Sequence, residues 1–307
     1  MTHDSGIRGG GNLRLASPRE RLAVLDGRPG VAPEVLALEE RLMDWRETVR
    51  ASLRDYPLDP PADDLLDAAI RDGRSLADIC SPLPTKEVLI SAATGLTQAA
   101  GEALPGAHLM LTRMTYLCET GDPGDLLGVL FTHGWHGHQD VLRQWAGAKE
   151  TSDAEALDWL GRQLARPFFH LLGTRLAGRQ AFANRDLKTL GCPCCGGPPR
   201  LSRYERDEGQ RYLWCDLCDV QWRFARVNCP FCGNTTHEQL GYLTFEELPS
   251  YRVDVCEVCH TYLRAKNERD LPEGVRVDFA IEDVGTLHLS LAAEQAGYRA
   301  TPGSREA

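Results

Sequence analysis

Cys192-Pro193-Cys194-Cys195-Gly196-Gly197, then Tyr212-Leu213-Trp214-Cys215-Asp216-Leu217-Cys218, opens a stretch that repeats as Cys229-Pro230-Phe231-Cys232-Gly233-Asn234 and Val253-Asp254-Val255-Cys256-Glu257-Val258-Cys259. Four C-x-x-C pairs therefore stand in two similar halves, and nine of the chain's eleven cysteines fall between Cys192 and Cys259. Two residues between cysteines let the chain turn tightly enough for both sulfurs to meet one ion at about 2.3 Å in tetrahedral geometry. Two such knuckles complete four ligands, so the candidate metal ligands are Cys192, Cys195, Cys215, Cys218, Cys229, Cys232, Cys256 and Cys259.

The tandem repeat favours the sites Cys192/Cys195/Cys215/Cys218 and Cys229/Cys232/Cys256/Cys259, while a cross-braced pairing of first with third and second with fourth knuckle stays open. The chain just after a knuckle often needs positive φ, which suits Gly196 and Gly233. Asp219 and His260 occupy the same place in the second knuckles and tolerate it less well. An all-thiolate tetrahedron accepts zinc or iron alike. A segment this small has an apolar core worth only about 3 to 5 kcal/mol, against on the order of 10 to 16 kcal/mol for a structural zinc tetrathiolate, so metal decides whether it folds. Cys194, inside the first knuckle, cannot easily join the same cage and reads as a spare thiol.

Outward from the knuckles the character changes. Val35, Leu38, Leu42, Trp45, Val49 and Leu53 recur at three or four residues and predict a helix of about six turns from Pro33. Further helical segments are expected near Leu65–Ile70, Val88–Ala100, Ala107–Cys118 and Leu126–Phe131, broken by Pro and Gly clusters. Ser152 with Glu155 reads as a capping box opening another helix, which Pro167 should end or kink. After the knuckles, Asp283–Leu291 leads into Ala292–Ala296 as one last helix. Cys80 and Cys118, in the helical half, read as buried small apolar residues.

At 307 residues, 42% hydrophobic and 25% charged, the chain can bury a real core. No run approaches the roughly 18 apolar residues of a membrane-spanning helix, and the opening stretch lacks the apolar core of a signal peptide. Metal-ligand spacing without such a signal implies a reducing compartment, read as the cytoplasm, and weighs against four structural disulfides. A net charge of -10 disfavours nucleic acid as partner. The six arginines from Arg200 to Arg226 are interleaved with five acidic residues, and read as charge compensation near the cages. His133, His136 and His138 read as a polar loop, since Gly134 and Gly137 prevent a helix from aligning the imidazoles.

The run Cys215-Asp216-Leu217-Cys218-Asp219-Val220-Gln221-Trp222-Arg223-Phe224-Ala225-Arg226-Val227-Asn228-Cys229-Pro230-Phe231-Cys232-Gly233 resembles the formate dehydrogenase accessory proteins of the FdhE type. The likeness extends back to Cys192-Pro193 and forward through Cys256–Leu263 to Asp283–Tyr298, covering about 165 to 300. Before that it is one of helical type and placement only. Cys194, Ser290 and the histidine loop depart from the family. The resemblance implies an assembly factor without enzymatic activity, binding the catalytic subunit of a formate dehydrogenase before export. It also implies two mononuclear metal ions in rubredoxin-like sites, iron favoured over zinc.

The fold class expected is multidomain α and β: a mobile arm over 1–18, an all-helical N-terminal domain over 19–186, tandem rubredoxin-like or zinc-ribbon-like metal units over 187–227 and 228–272, and a C-terminal helix and tail over 273–307. The rival functions are a zinc-ribbon nucleic-acid-binding protein and a rubredoxin-like electron-transfer protein.

Overall fold

A computed structural model describes residues 17–58, 61–80, 84–101, 104, 108–121, 151–176, 190–269, 271 and 277–301. The histidine loop and Leu126–Phe131 lie outside the described residues.

Helices come first: α1 (Pro18–Leu22), α2 (Pro33–Ser52), α3 (Asp63–Arg71), α4 (Lys86–Gly101), α5 (His108–Thr120) and α6 (Thr151–Leu176). The periodic stripe buries as expected on α2, with Leu42, Trp45 and Val49 facing the core and Leu53 just past its end. That stripe meets Leu89, Ala92 and Leu96 of α4, Leu111 of α5, and Leu160, Leu164 and Phe168 of α6. Trp45 Nε1 donates to the Ala92 carbonyl at 3.0 Å, which satisfies the one polar atom this aromatic takes inside.

Three details of the helical half differ from the expectation. Ser17 is not part of an arm but caps α1, with the Glu20 amide donating to its Oγ and its own amide donating to Glu20 Oε2 at 2.8 Å. Ser152 is not a cap, because the helix already includes Thr151 and an N-cap needs extended backbone before the first turn. α6 also runs on through Pro167 to Leu176. The proline removes one amide bond to the residue four before it, and burial of Leu164, Phe168, Phe169 and Leu172 offsets that loss.

The cysteine-rich half is a single six-stranded sheet: β1 (Leu201–Tyr204), β2 (Arg211–Trp214), β3 (Gln221–Phe224), β4 (Leu240–Thr244), β5 (Tyr251–Cys256) and β6 (Thr261–Asn267). The order is β3-β2-β1-β6-β5-β4. Each unit is an antiparallel meander, and the two join where β1 pairs with β6 in parallel, Leu201 opposite Arg264 through Tyr204 opposite Asn267. Trp214 stacks on Phe279 at 5.6 Å beside this joint.

In place of the one closing helix there are two, α7 (Phe279–Gly285) and α8 (Leu287–Gln295). They part at buried Thr286, whose Oγ1 donates to the Glu282 carbonyl at 2.7 Å and accepts from Arg264 Nη1 at 2.9 Å. Arg264 and Arg200 both pair with Asp283, so α7 is bolted across the joint. Burial pushes the Asp283 carboxyl up, but Arg200 and Arg264 outweigh it and hold the group down at about 2.

Candidate metal centres

The eight knuckle sulfurs gather in two groups, Cys192/Cys195/Cys215/Cys218 and Cys229/Cys232/Cys256/Cys259, the sulfurs of each group lying within 4.8 Å of one another. This is the tandem arrangement, not the cross-braced one. Cys192 Sγ lies 3.4 Å from Cys218 Sγ, and Cys195 Sγ 3.4 Å from Cys215 Sγ. In the second group Cys229 and Cys259 are 3.6 Å apart, Cys232 and Cys256 3.7 Å. A disulfide needs about 2.05 Å, and none of the eleven cysteines forms one. Four sulfurs about 2.3 Å from a central ion are about 3.8 Å apart. The donor set therefore fits a mononuclear thiolate-bound ion at both places.

Local backbone explains why. The Gly196 amide donates to the Cys192 carbonyl at 2.8 Å, Asp219 to Cys215 at 2.9 Å, and Gly233 to Cys229 at 3.0 Å, so three knuckles close through the same tight turn. The residue after each second cysteine has positive φ: 74° at Gly196, 61° at Asp219, 75° at Gly233 and 51° at His260. The two that are not glycine are compensated. Asp219 accepts from Trp214 Nε1 at 2.7 Å, and His260 lies against Tyr298 while its carbonyl accepts the Arg299 amide at 2.9 Å. Backbone amides also reach the sulfurs, those of Phe231 and Cys232 at Cys229 and that of Asn234 at Cys232. Such contacts favour thiolate over thiol.

Crowded sulfurs cannot all hold or all lose a proton independently. Neighbouring sulfurs pull Cys215 well below the ordinary thiol range in spite of its burial. Contact with Cys229 brings Cys259 down to about 4. Cys192, Cys195, Cys218 and Cys229 go the other way. A bound cation stabilises all four thiolates at once, which is the chemistry each group is built to accept.

The first group is fully buried and the helical half supplies its walls. Leu76 and Ala77 donate their amides to the carbonyls of Pro193 and Cys194 at 3.0 and 2.8 Å. Arg162 of α6 donates to both oxygens of Asp216 at 2.7 and 2.9 Å, and Arg166 to the Asp216 carbonyl at 3.0 Å. Gly173 of α6 passes so close that a Cβ there would sit 2.1 Å from the Cys218 carbonyl oxygen. Cys194 is fully buried in the same core. In the second group Cys232 and Cys259 are part-exposed, and its nearest support is Thr261, whose Oγ1 lies 2.9 Å from Cys259 Sγ.

Arginines near the cages mostly meet carboxylates: Arg200 and Arg264 with Asp283, Arg203 with Glu268, Arg211 with Asp254. Sequence reading missed Arg162, Arg166 and Gly173, because their contacts join elements some 45 to 54 residues apart and leave no local pattern. Thr261 was missed too, although its place two residues after Cys259 is a local signal that could have found it. Burial carries the Cys118 thiol up to about 12, as suits a small apolar residue.

Residues 191–226 match the model of a family described as FdhE, central domain. Among curated relatives, the chain is 36% identical over 119 residues to a protein named Protein FdhE homolog from Stutzerimonas stutzeri, covering 37% of each chain. It is 32% identical over 110 residues to one from Aquifex aeolicus, covering 35% of this chain and 38% of the relative. Over 163 residues it is 29% identical to one from Pseudomonas aeruginosa, covering 50% of each. These matches span from about a third to about half of the relatives' lengths. The crystal structure of the FdhE protein from Pseudomonas aeruginosa covers 94% of this chain and 93% of its own, with TM-score 0.56 and 22% identity. That likeness is one of fold, and it extends over the helical half. The resemblance to FdhE proteins read from the knuckles therefore holds.

Proposed function

We propose that this chain is a cytoplasmic assembly factor for a formate dehydrogenase, not itself an enzyme, and that it binds the catalytic subunit through the surface its two cysteine groups hold in shape. The observation that carries the reading is the pair of tandem four-sulfur groups in one sheet, within a chain similar to FdhE proteins. Cys192, Cys195, Cys215 and Cys218 would hold one ion, and Cys229, Cys232, Cys256 and Cys259 the other. Iron in rubredoxin-like coordination is the favoured occupant and zinc the alternative. The division that goes with this reading is a helical unit up to 186, its first helix starting at Pro18, two metal units over 187–227 and 228–272, and a closing segment over 273–307. The partner is protein; neither nucleic acid nor membrane insertion belongs to the reading. No helix among the described residues is long and apolar enough to cross a membrane.

The test is purification of the full chain without oxygen, followed by elemental analysis, an absorption spectrum, and capture of a formate dehydrogenase catalytic subunit. Two ions per chain with specific capture are expected. Ion-free protein, or capture no better than that of an unrelated protein, would refute the reading.

A further inference from the structure

Strand β4, Leu240-Gly241-Tyr242-Leu243-Thr244, is one edge of the sheet. Natural edge strands are normally blunted by a charged residue, a proline or a bulge. This one carries none of them, and its pairing with β5 is regular from Leu240 opposite Cys256 to Thr244 opposite Arg252. Because the Glu257 amide bonds the Gln239 carbonyl, the alternation of an antiparallel ladder turns the amide and carbonyl of Tyr242 and the amide of Thr244 away from β5. No described residue pairs with that side. Leu243 packs inward beside Val253, while Tyr242 is 60% exposed with Arg252 over its ring at 4.9 Å.

Charge flanks this edge at both ends. Glu238 precedes β4 and Glu257 is hydrogen-bonded beside it, while Glu246 and Glu247 follow it, and all four are exposed. Arg252, the one Lys or Arg from residue 227 to 260, is paired to Asp254. A second copy of the chain added antiparallel would set glutamates against glutamates at both ends, so like charge opposes it. Nucleic acid and anionic lipid are repelled for the same reason.

We propose that β4 is a docking edge for an extended, cationic polypeptide segment, which adds as a seventh strand and places basic residues against Glu238 and Glu257 at one end and Glu246 and Glu247 at the other. Main-chain bonds supply affinity in such strand addition, and the flanking charges supply selection. The proposal does not depend on which protein carries the segment.

The test uses the full chain and a synthetic peptide of four alternating Val and Thr residues with two basic residues at each end. Binding is expected, weakening about tenfold when all four glutamates become glutamine. Tyr242→Pro removes only the outward donor, because that amide takes no part in the β5 ladder, and should abolish binding, whereas Tyr242→Thr should retain it. On binding, the Tyr242 and Thr244 amides should gain protection from hydrogen exchange. The proposal is overturned by equal affinity for a peptide with acidic ends, by unchanged binding in Tyr242→Pro, by protection of those amides before any peptide is added, or by pairing of two copies through this strand.

Discussion

The two four-cysteine units carry nearly the same motif and live in different surroundings. The first is enclosed: α6 and the turn at Leu76–Asp78 supply hydrogen bonds, an ion pair and apolar walls around its sulfurs. The second rests on its own strands and on α8, with two of its four cysteines part-exposed. The same four thiolates thus serve as the centre of a shared core in one place and as a surface clasp in the other. Metal in the first should be tied to global stability, and metal in the second to local shape.

The largest effect that could break this comparison comes from the ligands themselves. Cys215→Ser should cost up to about 10 kcal/mol, comparable to the whole stability of a typical domain, and lose the fold of the helical half as well. Cys259→Ser should leave that half folded. Far-ultraviolet circular dichroism with melting curves reads both, and equal collapse of the two variants would abolish the distinction. Chelation sharpens it in time: the exposed ion should leave roughly tenfold sooner, followed by ion counts on samples quenched along the reaction.

Next comes the wall itself. Gly173→Ala forces a methyl into the Cys218 carbonyl and should cost about 3 kcal/mol, because neither helix nor knuckle can give way cheaply. Gly233→Ala, in the second unit, meets only Leu190 Cδ2 at 3.5 Å and pays chiefly for positive φ, about 1 kcal/mol. Urea midpoints should rank the two in that order.

The joint between the units titrates. Asp283 has its folded pKa near 2 against an ordinary 3.8, so its contribution is complete above about pH 4 to 5 and is lost as pH falls toward 2. The amount is about 2 kcal/mol. Asp283→Asn should remove this acid dependence from denaturant titrations while lowering stability at neutral pH, since Arg264 would stay buried without its partner.

The smallest expected effect separates the second knuckles. His260→Gly relieves positive φ and should be neutral or stabilising by up to about 1 kcal/mol. Asp219→Gly relieves the same strain but forfeits the bond from Trp214 and should come out destabilising. Melting temperatures that moved together would show the two turns to be equivalent after all.

Local chemistry was legible because it is written in near neighbours. The C-x-x-C spacing, the positive φ at four knuckle ends and the α2 stripe each follow from a few consecutive residues. Ser17 with Glu20 was equally local and was missed, because the glycine-rich stretch before it drew it into the arm. The break at Thr286 was not local. It depends on Arg264, which reaches that hydroxyl from strand β6.

By itself the sequence determined that eight thiols come in four turns, that the turns form a repeat, and that helices precede them. Tertiary structure alone decided which turns share a cage, that the two units merge through a parallel β1–β6 pair, that the helical half walls in the first cage, and that among the described residues β4 is left as an open edge. Spacing along a chain governs contacts within a turn, whereas contacts between distant elements are chosen by which surfaces bury together, and no short stretch encodes that choice.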